Sequence, residues 1–351
     1  MNHLRQYFLE SLSDESNCFV KDGYVHIRSR YWSPADLLEL FAQHDGKNEV
    51  FDELFSEWIE EHREEKIIEA NEILEQFGQK DRFIRLIEAY KCGAVVPFVG
   101  AGMSSPSGYP GWTNFLRQQR RQTLISEPQL EELISKGLYE EAAQQISDAM
   151  GVGFSEAVDA AFGCSRDLCG PVEMLPYVFD GCVVTTNFDN VLERCFANAA
   201  MQFSEKFDGC ESQEIRRSLA ANKRFLLMLH GKATSGRGRI LTKCEYDSHY
   251  VGEITLAKSI KIFCDSKSFL FLGCSLSVDR TLTEIQKYVN EEGHDQLPKH
   301  YAFLAAPTTD EERLERQQSL AESHIYPIWY PAGCHDESIE ALLTKLQSSV
   351  L

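Results

Sequence analysis

Short apolar runs alternate along this chain with longer stretches of helical periodicity. The runs are Val95–Val99, Cys182–Thr185, Phe225–Leu229, Ser268–Leu272, Tyr301–Ala305 and Ile325–Tyr330. Runs of four to six apolar residues with no polar alternation are those of strands buried on both faces. Between and after them the pattern predicts helices at Asp81–Lys91, Asn190–Ala199, Asp279–Glu291, Asp310–Ser323 and Asp336–Gln347, with a further helix ending near Asp265 after Thr242, Tyr246 and Tyr250. This alternation implies an α/β fold with a doubly wound, mostly parallel, Rossmann-like sheet.

Two parts depart from it. Over about residues 113–180 helical signals dominate, at Thr113–Ile125, Pro128–Ser135, Tyr139–Met150 and Ser155–Phe162, predicting a helical insertion over a ligand cleft. Residues 1–80 form an N-terminal, mainly helical segment ahead of the domain at 81–351. It holds a strand-like piece at Tyr24–Arg28, a helix start at Ser33-Pro34-Ala35-Asp36 and an acidic helical tract from about Asn48 to Phe77. In that tract Leu54, Trp58, Ile67, Ile68, Ile73 and Leu74 recur at roughly helical spacing. The segment reads equally as an oligomerisation element and as a lid over the main domain.

Chemistry gathers where the apolar runs end. Val95–Val99 breaks into Gly100-Ala101-Gly102-Met103-Ser104, a strand followed by Gly-x-Gly and a hydroxyl, the pattern of a phosphate-binding helix N-terminus. The third glycine of a G-x-G-x-x-G pattern is absent, Ser105 standing there. Cys182–Thr185 delivers Thr186-Asn187-Phe188-Asp189, and Phe225–Leu229 delivers His230-Gly231. Asn187 and Asp189 sit where open α/β sheets bind ligands, although Asp189 also suits a cap on the next helix; His230 is a general-base candidate. The small, basic loop Thr234–Arg239 follows. Ser268–Leu272 breaks into Gly273-Cys274-Ser275-Leu276-Ser277, a second glycine and hydroxyl turn. Two such turns in one sheet fit the two ends of a dinucleotide.

Composition narrows the function classes. The 351 residues are 43% hydrophobic and 25% charged, with no apolar run long enough to span a membrane and no signal-peptide core at the start, so the cytoplasm is the expected compartment. A formal charge of −19 argues against broad nucleic-acid binding; Arg117, Arg120 and Arg121 read as one solvated helix face. The 11 cysteines include no C-x-x-C pair, which makes a structural zinc ribbon unexpected, and Cys182, Cys195 and Cys264 read as reduced core residues.

In order along residues 81–351, Gly100–Ser104, Thr185–Asp189, Leu229–Gly231 and Leu272–Leu276 resemble a sirtuin-type, SIR2-like NAD-binding domain. The resemblance implies that Gly100, Ala101, Gly102 and Ser104 cradle the pyrophosphate and that Gly273, Ser275 and Leu276 contact the adenosine half. It implies that Thr186, Asn187 and Asp189 lie beside the nicotinamide ribose and nicotinamide, and that His230 is the catalytic histidine. Deacylating sirtuins continue after the first turn with Gly-Ile-Pro-Asp-Phe-Arg, where this chain has Gly108-Tyr109-Pro110-Gly111-Trp112-Thr113, and their zinc module with its cysteine pairs is missing. The pattern is more similar to SIR2-like proteins of bacterial antiphage defence. What that implies is NAD+ hydrolysis to nicotinamide and ADP-ribose, with NAD+ as substrate and no zinc, catalysed by Asn187, His230 and Asp189. It also implies a regulated homo-oligomer and a partner such as a HerA-type ATPase, an Argonaute or a sensor domain. The competing readings are an NAD- or ADP-ribose-binding scaffold without turnover, a protein deacylase or ADP-ribosyltransferase, and a nuclease effector in complex with an ATPase. The last would need a carboxylate cluster for metal that the sequence does not offer.

Overall fold

The structure is a computed structural model that describes residues 3–12, 20–27, 30–43, 49–209, 211–235, 238–250, 256–276 and 280–350. Arg28, Asn48, Gly236, Arg237, Ser277 and Asp279, assigned above to element ends and loops, lie outside the described residues. A small antiparallel sheet comes first: β1 (Val20–Lys21), β2 (Tyr24–Ile27) and β3 (Arg30–Trp32). The main sheet has seven strands: β4 (Val95–Val99), β5 (Val183–Thr185), β6 (Glu205–Asp208), β7 (Phe225–Met228), β8 (Ser268–Leu272), β9 (His300–Ala305) and β10 (Ile325–Tyr330). Their order is β10-β9-β8-β4-β5-β7-β6, and each pairing is parallel.

The six apolar runs are therefore the strands, buried on both faces as their composition requires. Pro97 lies in the central β4, where a missing N–H is ordinarily excluded. It is accommodated because the ladder to β5 begins only at Phe98 beside Val184. The outer strand β10 is sealed by a side chain: Gln79 donates from Nε2 to the Trp329 carbonyl at 2.5 Å and accepts from the Trp329 N–H at 2.8 Å, imitating a strand partner.

The helix Glu49–Gln76 explains why its apolar stripe looked irregular. Its first half buries Phe51, Leu54 and Trp58 in a small core with Phe8, Leu12, Val25, Ile27 and Leu37, while Ala70, Ile73 and Leu74 join the main core. Ile67 and Ile68 fall between the two; Ile67 is half-buried and Ile68 is 58% exposed, not on the packed face the spacing suggested. The second half packs against the closing helix His335–Ser348, where His62 Nε2 lies 3.0 Å from Glu340 Oε1.

Between β4 and β5 run the helices Trp112–Arg120, Glu127–Ser135, Tyr139–Met150 and Val152–Val158, ending in a π-helical turn at Asp159–Gly163. Cys182, Cys195 and Cys264 are buried as free thiols, and burial pushes each up to about 12.

The sheet's centre is fixed by contact between two glycine turns. Gly100 N–H donates to Leu272 O at 2.8 Å and Gly102 N–H to Gly273 O at 2.9 Å. A Cβ on Gly100 would lie 2.6 Å from Gly273 O, and one on Gly273, whose φ is +65°, would lie 2.4 Å from Met103 N. Gly273→Ala combines left-handed strain with a backbone clash and is expected to cost about 2–4 kcal/mol. Gly181→Ala, with nothing within 4 Å of its added Cβ and no left-handed φ, serves as the neutral control in the same denaturation series.

His300, fully buried at the start of β9, accepts the Phe269 N–H at 3.0 Å through Nδ1, so its proton sits on Nε2, which has no acceptor among the described residues. Burial, and secondarily His324, lowers its pKa to about 3. The folded value lies below the ordinary histidine value, so the unfolded chain binds the extra proton and stability falls as pH drops below about 6.5, by up to about 1.4 kcal/mol per pH unit. His300→Asn, which keeps an acceptor for Phe269, is expected to flatten the stability profile between pH 4 and 6.5 in urea titrations. An unchanged slope would assign the acid sensitivity elsewhere.

Candidate active site

The strand order brings four strand ends together. The chain passes from β4 to β5 on one side and, after β7, returns to β8 on the other, so β4 lies at a topological switch point where open sheets form their crevice. A cavity of about 670 Å³ opens there. It lies within the range of roughly 300–1,000 Å³ typical of small-molecule sites. Both glycine turns, Thr186–Asp189 and His230 line it, and the insertion contributes Gly137–Glu141 and Trp112. The structure thus gathers all the site residues expected from sequence around one cavity.

Asn187 is held by the first glycine turn. Thr185 donates from Oγ1 to Val99 O at 2.8 Å and accepts the Asn187 N–H at 3.0 Å, fixing the backbone. The Asn187 amide then donates to Gly100 O at 3.0 Å and to Ser104 Oγ at 3.1 Å. A carbonyl oxygen can only accept, so the amide nitrogen must face Gly100 and the amide oxygen must face the other way. That oxygen has no protein partner among the described residues, and Asn187, 8% exposed, lines the cavity.

Asp189 Oδ1 accepts the Val191 N–H at 3.0 Å, and the Ser104 hydroxyl lies close enough to bear on its charge. Asp189, which precedes the N-cap residue Asn190, therefore satisfies the first amide of the helix Val191–Asn198 and lines the cavity as well. Burial raises its pKa, opposed by the Val191 N–H and the Ser104 hydroxyl. Tyr109, raised by burial and then by the Asp189 charge, donates to Cys164 O at 2.6 Å and anchors the loop before Trp112.

His230 is 5% exposed. Its carbonyl accepts from Ile240, the Tyr246 hydroxyl lies 3.4 Å from both ring nitrogens, and the two rings meet edge to face at 5.2 Å. Gly231 has φ +73° and leaves 2.6 Å between a would-be Cβ and Gly238 O, so the chain can fold back over His230 only with glycine there. Trp112 packs against Phe115, Phe162 and Phe188, with Phe188 6.3 Å from the His230 ring, making an aromatic wall.

The first turn differs from its expected form. It is one turn of 3-10 helix, Ala101–Met103, and the next α-helix starts only at Trp112. Its Gly100, Gly102, Met103 and Ser104 amides donate to protein carbonyls, which leaves the exposed Ala101 N–H as the amide of this turn open to an anion among the described residues. Gly102 is thus required by its packing on Gly273. At the second turn Ser275 is exposed while Leu276 is buried with φ +48°, and Arg316 donates to both carbonyls.

Sequence reasoning missed Arg280. It lines the cavity, bonds Glu140 of the insertion at 2.8 Å and Asp247 at 2.7 Å, and lies 5.4 Å over the Tyr246 ring. No local pattern marks residues 140, 247 and 280 as neighbours; only the fold joins them. Among the described residues no group of three or more His, Cys, Asp or Glu side chains is placed to hold a metal, and no helix is long and apolar enough to cross a membrane.

Residues 181–328 match the SIR2-like domain family, which covers β5 to most of β10 and leaves the first glycine turn outside. The chain is 23% identical over 227 residues to "NAD(+) hydrolase ThsA" of Acinetobacter baumannii (strain 532279), covering 64% of this chain and 45% of that protein. It is 22% identical over 213 residues to "NAD(+) hydrolase ThsA" of Cytobacillus dafuensis, covering 59% of this chain and 40% of that one. The chain spans less than half the length of these relatives. The parallel sheet and the strand-end segments gathered around one cavity agree with that match, and over residues 181–328 the chain is similar to SIR2-like domains.

Proposed function

We propose that this protein hydrolyses NAD+ to nicotinamide and ADP-ribose. The observation that carries this reading is the Asn187 carboxamide, its nitrogen pinned by Gly100 and Ser104 and its oxygen left to the cavity that His230 also lines. The two distant relatives named as NAD(+) hydrolases support it.

In the proposed reaction the bond between ribose C1′ and the pyridinium nitrogen breaks, its electron pair returning to the ring, so nicotinamide leaves neutral and needs no general acid. Water supplies the new C1′–O bond. Asn187 Oδ1 accepts from that water and orients it, and His230 takes the proton from water or a ribose hydroxyl. Asp189 stabilises positive charge developing on the ribose. The aromatic wall of Trp112, Phe162 and Phe188 suits the flat nicotinamide ring, while Ala101, Gly273, Ser275 and Leu276 take the pyrophosphate and adenosine half. We further propose that turnover is restrained until a signal releases it, in an oligomer or with a defence partner, because free hydrolysis of NAD+ would drain the cell.

His230→Ala or Asn187→Ala is expected to lower nicotinamide release by about 100- to 10,000-fold with thermal stability largely kept, followed by chromatography of NAD+ incubations. Near-wild-type release in either variant would sink the assignment. Asp189 separates cap from charge: Asp189→Asn keeps an acceptor for Val191 and should remain within a few tenths of a kcal/mol of wild-type stability while losing activity, whereas Asp189→Ala should also lose about 1 kcal/mol. Because burial raises the Asp189 pKa, the acid limb of the kcat profile should lie above the ordinary aspartate range and be absent from any residual activity of Asp189→Asn.

A further inference from the structure

A second depression of about 480 Å³ lies on the other side of the Gly108–Pro110 loop, sharing Pro110 with the main cavity. One wall is formed by Gln118, Gln119 and Gln122 around the end of the helix Trp112–Arg120, and the facing wall by the methyl groups of Ala157, Ala160 and Ala161. Those alanines come from the helix Val152–Val158 and the π-turn behind it, a rare element frequently found at functional sites.

Arg166 closes one end. Its guanidinium lies 5.2 Å over the Tyr109 ring, it forms no ion pair among the described residues, and its Nε is buried without an acceptor. Gln119, 4% exposed, accepts from Gln122 at 3.1 Å through Oε1, while its NH2 group has no acceptor among the described residues. The slot therefore presents a guanidinium that rests on Tyr109 with no ion pair among the described residues, and the amide nitrogen of Gln119, beside the side chains of Ala157, Ala160 and Ala161.

We propose that this slot binds a small anion carried on a flat ring, an aromatic carboxylate or phosphate ester, independently of the nucleotide cavity. Arg166 takes the anion through its guanidinium fork, the ring lies along the alanines, and Gln119 donates to a polar edge. Since Arg166 rests on Tyr109 and Pro110 lines both cavities, an occupant would fix the loop that leads to Trp112.

The test is calorimetric titration of the full chain with benzoate and phenyl phosphate, beside inorganic phosphate (anion without ring) and benzamide (ring without charge). Wild type is expected to bind at least one ring-bearing anion more tightly than either control, and which of the two is preferred separates a carboxylate from a phosphate ligand. Arg166→Gln should weaken that binding at least about tenfold, while Arg166→Lys retains part of it and His230→Ala, in the other cavity, binds as wild type. No binding of either ring-bearing anion up to millimolar concentration, controls that bind equally well, or an Arg166→Gln protein that folds and binds like wild type would each overturn the proposal.

Discussion

The close contact of two glycine turns is what the rest of the site depends on. Gly100 and Gly102 after β4 and Gly273 after β8 approach so nearly that a single methyl group on any of them meets backbone. Their bonds, from Gly100 N–H to Leu272 O and from Gly102 N–H to Gly273 O, tie the two strands together at the switch point. This leaves Gly100 O aimed at Asn187, and the side chain of Asn187 is oriented by that carbonyl. One backbone constraint therefore sets the sheet's centre, the shape of the crevice and the direction of the carboxamide oxygen. It also limits what the turn can offer an anion: four amides of Gly100–Ser104 are spent on protein carbonyls, so a pyrophosphate here would rely on Ala101 and neighbouring groups rather than on a nest of free N–H groups.

How much could be read from sequence followed burial. Ser268–Leu272 and Ile325–Tyr330 are strands over the residues their apolar runs mark, because buried parallel strands leave an uninterrupted signal. Strand β6, Glu205-Lys206-Phe207-Asp208, went unread: at the sheet's edge only Phe207 is buried, so three polar residues of four look like a loop. The helix His3–Ser11 and strand β3 were missed for a related reason, since so small a core draws few residues from each element. Ile68 failed because one helix serves two cores and its stripe changes direction between them.

The site divides in the same way. Asn187, Asp189, His230 and both glycine turns were legible because each follows a buried strand directly, and parallel strands place all such ends on one edge. Arg280, Glu140 and Tyr246 had no comparable mark. Their association depends on the insertion folding back over the sheet, with 140 residues separating Arg280 from Glu140. Asp189 was legible only as a pair of alternatives, cap or ligand-facing carboxylate, and the fold gives it both environments.

That double use bears on how an acidic chain would handle an anionic dinucleotide under the proposed function. Glu140 and Glu141 line the cavity, and Arg280, the cation beside them, is already engaged by Glu140 and Asp247. A strongly positive pocket would attract NAD+ through its pyrophosphate but would oppose positive charge developing on the ribose. Here the arrangement favours the second requirement: the carboxylate of Asp189 stands at the β5 end, near Asn187, while no unpaired Lys or Arg lines the same end among the described residues. The raised pKa of Asp189 is the cost of holding that charge away from water, and Ser104 and the Val191 N–H offset part of it. In the proposed reaction binding would then come from shape, the aromatic wall and backbone donors, with the electrostatics reserved for the cation that bond cleavage would create.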